Sequence, residues 1–161
     1  MRTEQLTVIL MAVQTLIFIL TLSGLIWQLR RLNQSIRNDA YSKAIDDYYR
    51  ITQLLLEKPQ LNRIFYSGNP DFSGLNSDHQ DFYNYLALSM GFLERIYLLF
   101  KQGWVDRGTW ESWERWLTFH WLQFELFELF WKNESAFYSV DFCKYVDERY
   151  EGFARRRKAK V

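Results

Sequence analysis

The chain begins with a long apolar stretch that predicts a membrane anchor. No charged residue lies between Gln5 and Leu29, and the 22 residues from Leu6 to Trp27 are largely apolar. As a helix they would be roughly 33 Å long, and the hydrocarbon core of a bilayer is about 30 Å thick. We therefore expect a transmembrane anchor over residues 1–29. A cleaved signal peptide is the alternative, but the stretch continues into bulky Trp27 instead of a small-residue cleavage site.

Polar residues inside this stretch recur every seven positions, at Thr7, Gln14, Thr21 and Gln28. A spacing of seven drifts by only about 20° per step around a helix, so these four side chains share nearly one face. Such a stripe predicts association between transmembrane helices, or the lining of a pore in a ring of them. The alternative is that each threonine hydroxyl bonds to its own helix backbone and that Gln28 lies among the headgroups.

Basic residues follow the anchor more than they precede it. Arg30, Arg31 and Arg37 come after it and only Arg2 before it, which predicts that the C-terminal part is cytoplasmic. Tryptophan favours the membrane interface, and clustered basic residues favour anionic headgroups. The residues expected to contact the membrane surface are Trp27, Arg30, Arg31, Trp104, Arg155, Arg156, Arg157, Lys158 and Lys160.

Residues 30–161 show the periodicity of helices and predict an all-α domain. Apolar or small residues recur in steps of three and four from Leu29 to Leu55, so the anchor helix should continue to about Glu57, where Pro59 ends it. The fold class that we expect is one N-terminal transmembrane helix continuing into an up-and-down cytoplasmic helical bundle. The domain boundaries are 1–29 for the anchor and 30–161 for the bundle with its basic C-terminal tail.

Local signals divide this bundle into further helices. A short helical segment is expected at Leu61–Tyr66, then a loop at Ser67–Ser77, a helix from a Ser77–Gln80 capping box to Gln102, and Gly103 as its C′ residue. Asp106 or Thr109 should cap a helix that continues to Lys132 with a break near His120, and Ser139 should cap the last helix, to about Arg157. Because Phe82–Phe100 is apolar on nearly every side, it should be the central buried helix, with a second membrane segment as the alternative.

The charge distribution argues against a nucleic-acid partner. The formal net charge is +1, but residues 1–37 carry +3 and residues 155–161 carry +5, which leaves the body at −7. Proteins that bind nucleic acid usually present a basic patch on their folded surface. We therefore expect no nucleic-acid binding. Cys143 is the only cysteine, so no disulfide can form within the chain.

No motif in the chain predicts a catalytic, cofactor-binding or metal site. There is no Gly-rich phosphate loop, G-x-S-x-G, Cys-x-x-Cys or H-E-x-x-H. The two histidines, His79 and His120, lack a glutamate three residues before them, so the ligand pattern of di-iron bundles is absent. His120 and Gln123 could line a small pocket, and the alternative is a core histidine with satisfied hydrogen bonds.

Several stretches carry a resemblance to a protein family. They are Ala44–Ile51, Glu57–Leu61, Trp110–Glu114 and Phe137–Phe142. In this order they resemble uncharacterised bacterial proteins with one N-terminal transmembrane helix and a cytoplasmic helical domain. The resemblance implies a protein of the bacterial inner membrane without an established activity, and it supplies no catalytic residues.

Together these features predict a non-enzymatic, membrane-tethered module that docks another protein or assembles with copies of itself, and that contacts membrane lipids. An oligomeric channel or membrane effector lined by the Thr7–Gln28 stripe is the main alternative. A ligand sensor or enzyme that uses the His120 region is a weaker one.

Overall fold

A computed structural model describes residues 3–67, 77–122 and 125–158, and every regular element in these ranges is helical, as the sequence predicts. The α-helices are α1 (Thr3–Glu57), α2 (Pro59–Ser67), α3 (Ser77–Lys101), α4 (Arg107–His120), α5 (Glu125–Glu134) and α6 (Val140–Lys158), with a 3₁₀ turn at Ser135–Phe137 between the last two.

Helix α1 is long and apolar enough to cross a membrane, by its length and composition. Its side chains from Thr3 to Asp39 are all exposed, whereas Ala44, Ile51 and Leu55 are buried. The chain divides into two compact units, Met1–Ala40 and Tyr41–Val161, and α1 contributes to both. The second unit, hereafter the helical unit, contains the candidate sites at Trp104, His120 and Arg155. The domain boundary at residue 29 stays a prediction.

The predicted helix ends are mostly confirmed because they depend on local chemistry. Helix α1 ends at Glu57, before Pro59. Helix α3 ends in a Schellman motif, in which Gly103 N–H donates to the Phe100 carbonyl at 2.9 Å and Trp104 N–H to the Leu99 carbonyl at 2.9 Å. Gly103 has φ 70, the left-handed region that glycine enters without steric cost.

Asp106 caps α4, as the sequence indicates. Its carboxylate accepts hydrogen bonds from Thr109 N–H at 2.9 Å and from the Thr109 hydroxyl at 2.6 Å. These hydrogen bonds stabilise the ionised carboxylate and so lower the pKa of Asp106. The break expected near His120 is also present, because α4 ends at this residue and α5 begins at Glu125.

The short helical segment expected at Leu61–Tyr66 is confirmed as α2, which begins two residues earlier, at Pro59. One local expectation, the cap at Ser139, is wrong. Ser139 directly precedes α6, but its buried hydroxyl has no hydrogen-bond partner among the described atoms. The Glu94 carboxylate of α3 instead accepts from the Ser139 N–H at 2.5 Å. A side chain distant in sequence thus satisfies this helix end, which no local capping pattern could reveal.

The core of the helical unit is strongly aromatic and is centred on α3. Helix α3 contacts α2, α4 and α6, and its Phe82, Leu86 and Leu93 are fully buried. The tryptophans of α4 pack into this core: Trp110 lies 5.4 Å from Tyr97 and Trp113 lies 4.9 Å from Phe92, measured between ring centroids. Aromatic pairs at such distances stabilise a fold beyond the area they bury.

Helices α4 and α6 are parallel. The Trp110 and Tyr145 rings are 5.3 Å apart, and one turn further along both helices the Glu114 carboxylate lies 2.6 Å from the Arg149 guanidinium. Both pairs advance in the same direction along the chain. Helix α5, which lies between α4 and α6 in sequence, is antiparallel to α6. Phe127 of α5 contacts Tyr150, whereas Trp131, further along α5, contacts Phe142, which comes earlier in α6.

This reversal corrects the predicted position of the basic tail. Continued along α6, the register places Arg155 at the level of His120, whereas Trp104 precedes the opposite end of α4. Trp104 and Arg155, which are both expected to contact the membrane surface, therefore lie at opposite ends of the helical unit. The break after His120 turns the chain back, so residues 106–132 do not run in one direction. The side chains of Arg156, Arg157 and Lys158, and all of Lys160, lie outside the described residues.

Candidate docking groove

An open, mostly apolar groove of about 610 Å³ lies between α1 and α3 in the helical unit. The two helices are antiparallel here, because Lys58 pairs with Asp81 at 2.6 Å and Asp47 pairs with Arg95 at the other end. Helix α1 contributes Asp47, Arg50, Ile51 and Leu54, and α3 contributes Ala87, Leu88, Gly91, Phe92 and Arg95. The groove spans about two helical turns of each helix.

One face of α3 remains uncovered along this groove. Leu88, Gly91, Arg95 and Leu98 are exposed, and their spacing of three, four and three residues places them on one stripe. The prediction that Phe82–Phe100 is buried on all sides is therefore wrong at this stripe. Apolar periodicity shows which faces of a helix are hydrophobic, but it does not distinguish a face that is buried within the chain from one that is exposed on its surface.

Gly91 makes the middle of the groove open. A Cβ atom added at this position would meet no atom within 4 Å, so the space above its backbone is unfilled. Leu88, which is 49% exposed, stands one turn away on the same face of α3. An apolar group from another molecule could therefore reach the helix backbone and be covered by leucine.

The charged residues of the groove leave one positive charge unmatched. Asp47 and Arg95 form an ion pair with each other. Arg50, on the exposed surface of α1, forms no ion pair with any described side chain. The rim of an apolar groove thus presents a guanidinium that a partner carboxylate could approach. The neighbouring Asp46 is exposed, so the adjacent acids Asp46 and Asp47 face different surroundings, as their helical spacing predicts.

His120 takes part in an aromatic stack between α4 and α2. His120 lies against Phe65 of α2, with ring centroids 5.3 Å apart, and 5.7 Å from Trp116. Burial lowers the pKa of His120 and so favours the neutral imidazole. The ring is half-buried, and both the pocket and the core histidine with satisfied hydrogen bonds stay predictions. Gln123, the predicted second residue of the pocket, lies outside the described residues.

The polar stripe of the apolar stretch divides into two kinds of side chain. The hydroxyl of Thr7 donates to the Thr3 carbonyl at 3.1 Å, and that of Thr21 donates to the Ile17 carbonyl at 2.8 Å. Both threonines therefore behave as the alternative interpretation expects. Gln14 and Gln28 are exposed and form no hydrogen bond with described side chains, so their amides are available to another molecule.

At the C-terminal end of the apolar stretch, the Arg31 guanidinium lies 5.6 Å from the centre of the Trp27 ring. Cation–π contacts of this kind keep the two side chains together. Arg30 is exposed beside them. Trp104, the other tryptophan predicted at a membrane surface, is half-buried in the turn between α3 and α4.

Two features of the described side chains concern metal binding and the single cysteine. No three of their His, Cys, Asp or Glu residues are grouped so that they could hold a metal ion. The Cys143 thiol donates to the Ser135 carbonyl at 3.0 Å, and burial together with Asp147 raises its pKa. The protonated form of a thiol is a poor nucleophile.

Comparison with known proteins assigns no family to this chain. No protein-family model matches it, and neither a curated protein nor a solved structure does. The groove, which sequence reasoning missed, is thus the most specific indication of function. The signal that could have revealed it is Gly91, the one glycine inside the largely apolar segment Phe82–Phe100.

Proposed function

We propose that this protein is a non-enzymatic, membrane-tethered interaction module whose docking site is the groove between α1 and α3. The groove is the observation that carries the proposal: it is mostly apolar, open above Gly91 and bordered by Arg50, which has no ion-pair partner among the described side chains. Exposed apolar surface bordered by polar residues is typical of sites that bind other proteins. The aromatic core that holds α1 against α3 supports it further, because a rigid groove loses little entropy on binding.

The proposed setting is the bacterial inner membrane, crossed once by the apolar part of α1, with the helical unit in the cytoplasm as an up-and-down bundle. The length and composition of α1 support the membrane span. The excess of Arg30, Arg31 and Arg37 over Arg2 supports the orientation. Trp27, Arg30 and Arg31 would lie at the headgroups. Because Trp104 and Arg155 mark opposite ends of the helical unit, we propose lipid contact for one of these ends only.

Photo-crosslinking in native membranes tests the docking function. A photoreactive amino acid in place of Leu88 should yield covalent adducts with a protein, either a second copy or another chain. The same amino acid in place of Glu148, which is exposed on α6, is the matched control and should yield few. If the Leu88 position produces no more protein adducts than the Glu148 position, the groove is not a docking site and the proposal fails.

An oligomeric channel lined by the Thr7–Gln28 stripe is the second candidate. The exposed amides of Gln14 and Gln28 favour it, because neither has a hydrogen-bond partner among the described side chains. Mass determination of the full chain in nanodiscs distinguishes the two proposals. A closed ring of copies that conducts ions would support the channel, and a monomer or dimer would exclude it.

A further inference from the structure

We propose that a second copy of this chain occupies the groove, by inserting the exposed side chains of Phe137 and Val140 above Gly91. The inference rests on the proposed function, because it names the partner that the groove binds. It is carried by three features of the helical unit: an apolar projection on a fixed backbone, an open site that can receive it, and one unpaired charge beside each.

The projection, hereafter the Phe137 knob, consists of Phe137 and Val140 and is the more unusual feature. Phe137 is 80% exposed and Val140 is 68% exposed. Among the large apolar side chains of the described residues, Phe137 has the highest exposed fraction. A phenyl ring held in water is unfavourable unless a partner covers it, at least for part of the time.

The backbone on both sides of Phe137 is fixed. The Tyr138 N–H donates to the Ser135 carbonyl at 3.1 Å, and the Ser139 N–H donates to the Glu94 carboxylate at 2.5 Å. Between these bonds, the Tyr138 ring stacks on Trp131, with centroids 5.4 Å apart. Phe137 is therefore presented in a set position, so its insertion into a groove costs little loop entropy.

The groove suits such a knob better than it suits a lipid chain. Its apolar lining and the space above Gly91 can cover a ring and a branched side chain from one side. An acyl chain would also enter apolar surroundings, but the groove is open to solvent and only about two helical turns long, so much of a long chain would remain in water.

Charge complementarity favours a second copy over an unrelated apolar partner. Arg50 beside the groove and Asp141 beside the knob are both exposed, and neither forms an ion pair with a described side chain. Insertion of the Phe137 knob would bring Asp141 of one copy close to Arg50 at the groove of the other. The body of the chain carries −7, so two copies repel at longer range, and this local pair would favour one orientation of docking.

A contact of this size is weak, and the membrane tether compensates for it. One knob in one groove buries less surface than a stable soluble dimer requires. Copies anchored in the same bilayer meet at a much higher effective concentration than free copies do. The contact should therefore form in membranes and largely dissociate when the chain is diluted in detergent.

Fluorescence energy transfer between full-length copies in lipid vesicles tests the inference. Phe137→Ser removes the knob and Gly91→Trp fills the groove; each variant alone should associate roughly tenfold more weakly than wild type. Mixed together, they should recover energy transfer, because the groove of the first accepts the knob of the second. Phe119→Ser, which removes another exposed phenyl ring (66% exposed), is the matched control and should behave as wild type.

The other outcomes overturn the inference in different ways. If Gly91→Trp abolishes association and Phe137→Ser does not, the groove binds another segment, and the docking function survives without this partner. If wild-type copies show only random proximity, self-association through the groove is excluded, and only adducts of Leu88 with another protein would keep the docking function. Gly91→Ala places a methyl group in open space and should retain association, which separates a blocked groove from a damaged helix.

Discussion

The imidazole ring of His120 lies face to face with the phenyl ring of Phe65, with 5.3 Å between centroids and 16° between planes. This stack joins the C-terminal end of α4 to α2. A protonated imidazole in the same place would lose hydration without gaining an acidic partner, and burial accordingly lowers the pKa of His120. The contact between α2 and α4 is therefore coupled to the protonation of one side chain.

We predict that acid weakens the helical unit through His120. Its pKa in the folded state is lower than the ordinary value of 6.5, so the unfolded chain binds more protons between the two values. The contribution of His120 to stability is complete above the unfolded pKa near 6.5 and is lost as the pH falls towards the folded pKa. Urea unfolding at about pH 8 and about pH 5 measures this loss.

His120→Phe is the control for this effect, because a phenyl ring can keep the stack on Phe65 but cannot take up a proton. The variant should lose less stability than wild type between the two pH values. Carboxylates elsewhere contribute equally to both proteins and cancel in the difference. Identical pH dependence of the two proteins would show that His120 is not the group responsible.

A pair of glycine variants should shift stability in opposite directions. Gly103→Ala forces an L side chain into the left-handed region and should lower the free energy of unfolding by about 1–2 kcal/mol. Gly152→Ala lies within α6, where a Cβ would meet nothing within 4 Å, and should raise it by about 0.5–1 kcal/mol. Thermal unfolding of both variants is the measurement. A Gly103→Ala protein as stable as wild type would contradict the left-handed backbone conformation at residue 103.

The helix ends could be predicted from sequence because each depends on a few neighbouring residues. Pro59, Gly103 and Asp106 act on their own helices, and the structure places all three as expected. The direction of α6 and the cap at Ser139 could not be predicted in this way. They depend on contacts such as Glu94 with Ser139, whose partners are 45 residues apart and leave no periodic signal.

The docking groove was missed for a related reason. Hydrophobic periodicity identifies α3 as a helix that avoids water, and Phe82 and Leu93 are indeed buried. It cannot show that Leu88 and Gly91 lack a covering helix, since this depends on how many helices the chain can place around α3. The pocket at His120 and Gln123 stays a prediction, because Gln123 lies outside the described residues. The stack of His120 on Phe65 of α2 could not be predicted either, since the two residues are distant in sequence.

We predict that Gln14 and Thr21 differ in their effect on association within the membrane. The Thr21 hydroxyl already donates to its own backbone at 2.8 Å, so Thr21→Val should leave association nearly unchanged. Gln14→Leu removes an exposed amide and should weaken it by about 0.6 kcal/mol for each hydrogen bond lost between helices. A dimerisation assay in membranes measures both variants, and unchanged association of the Gln14→Leu variant would mean that this amide has no role in association.

The proposed orientation, with the helical unit in the cytoplasm, predicts the behaviour of reporter fusions. With Arg30, Arg31 and Arg37 on the cytoplasmic side, a reporter that is active only in the cytoplasm should be active when fused after Val161. A periplasmic reporter at the same position should be inactive. Replacing Arg30 and Arg31 with glutamine is the matched control and should make the orientation mixed. Activity of the periplasmic fusion in the unaltered chain would reverse the proposed topology.

The contacts of α3 also set an order of events during synthesis. The Tyr97 ring packs against Phe142 and Tyr145, and the Glu94 carboxylate accepts a hydrogen bond from the Ser139 N–H. This side of α3 can therefore be covered only after α6 has left the ribosome. Until then, the nascent chain exposes aromatic surface that its own later residues must cover. Translation that stops before α6 would leave a fragment with exposed aromatic surface, which is prone to aggregate and is the kind of product that cellular quality control removes.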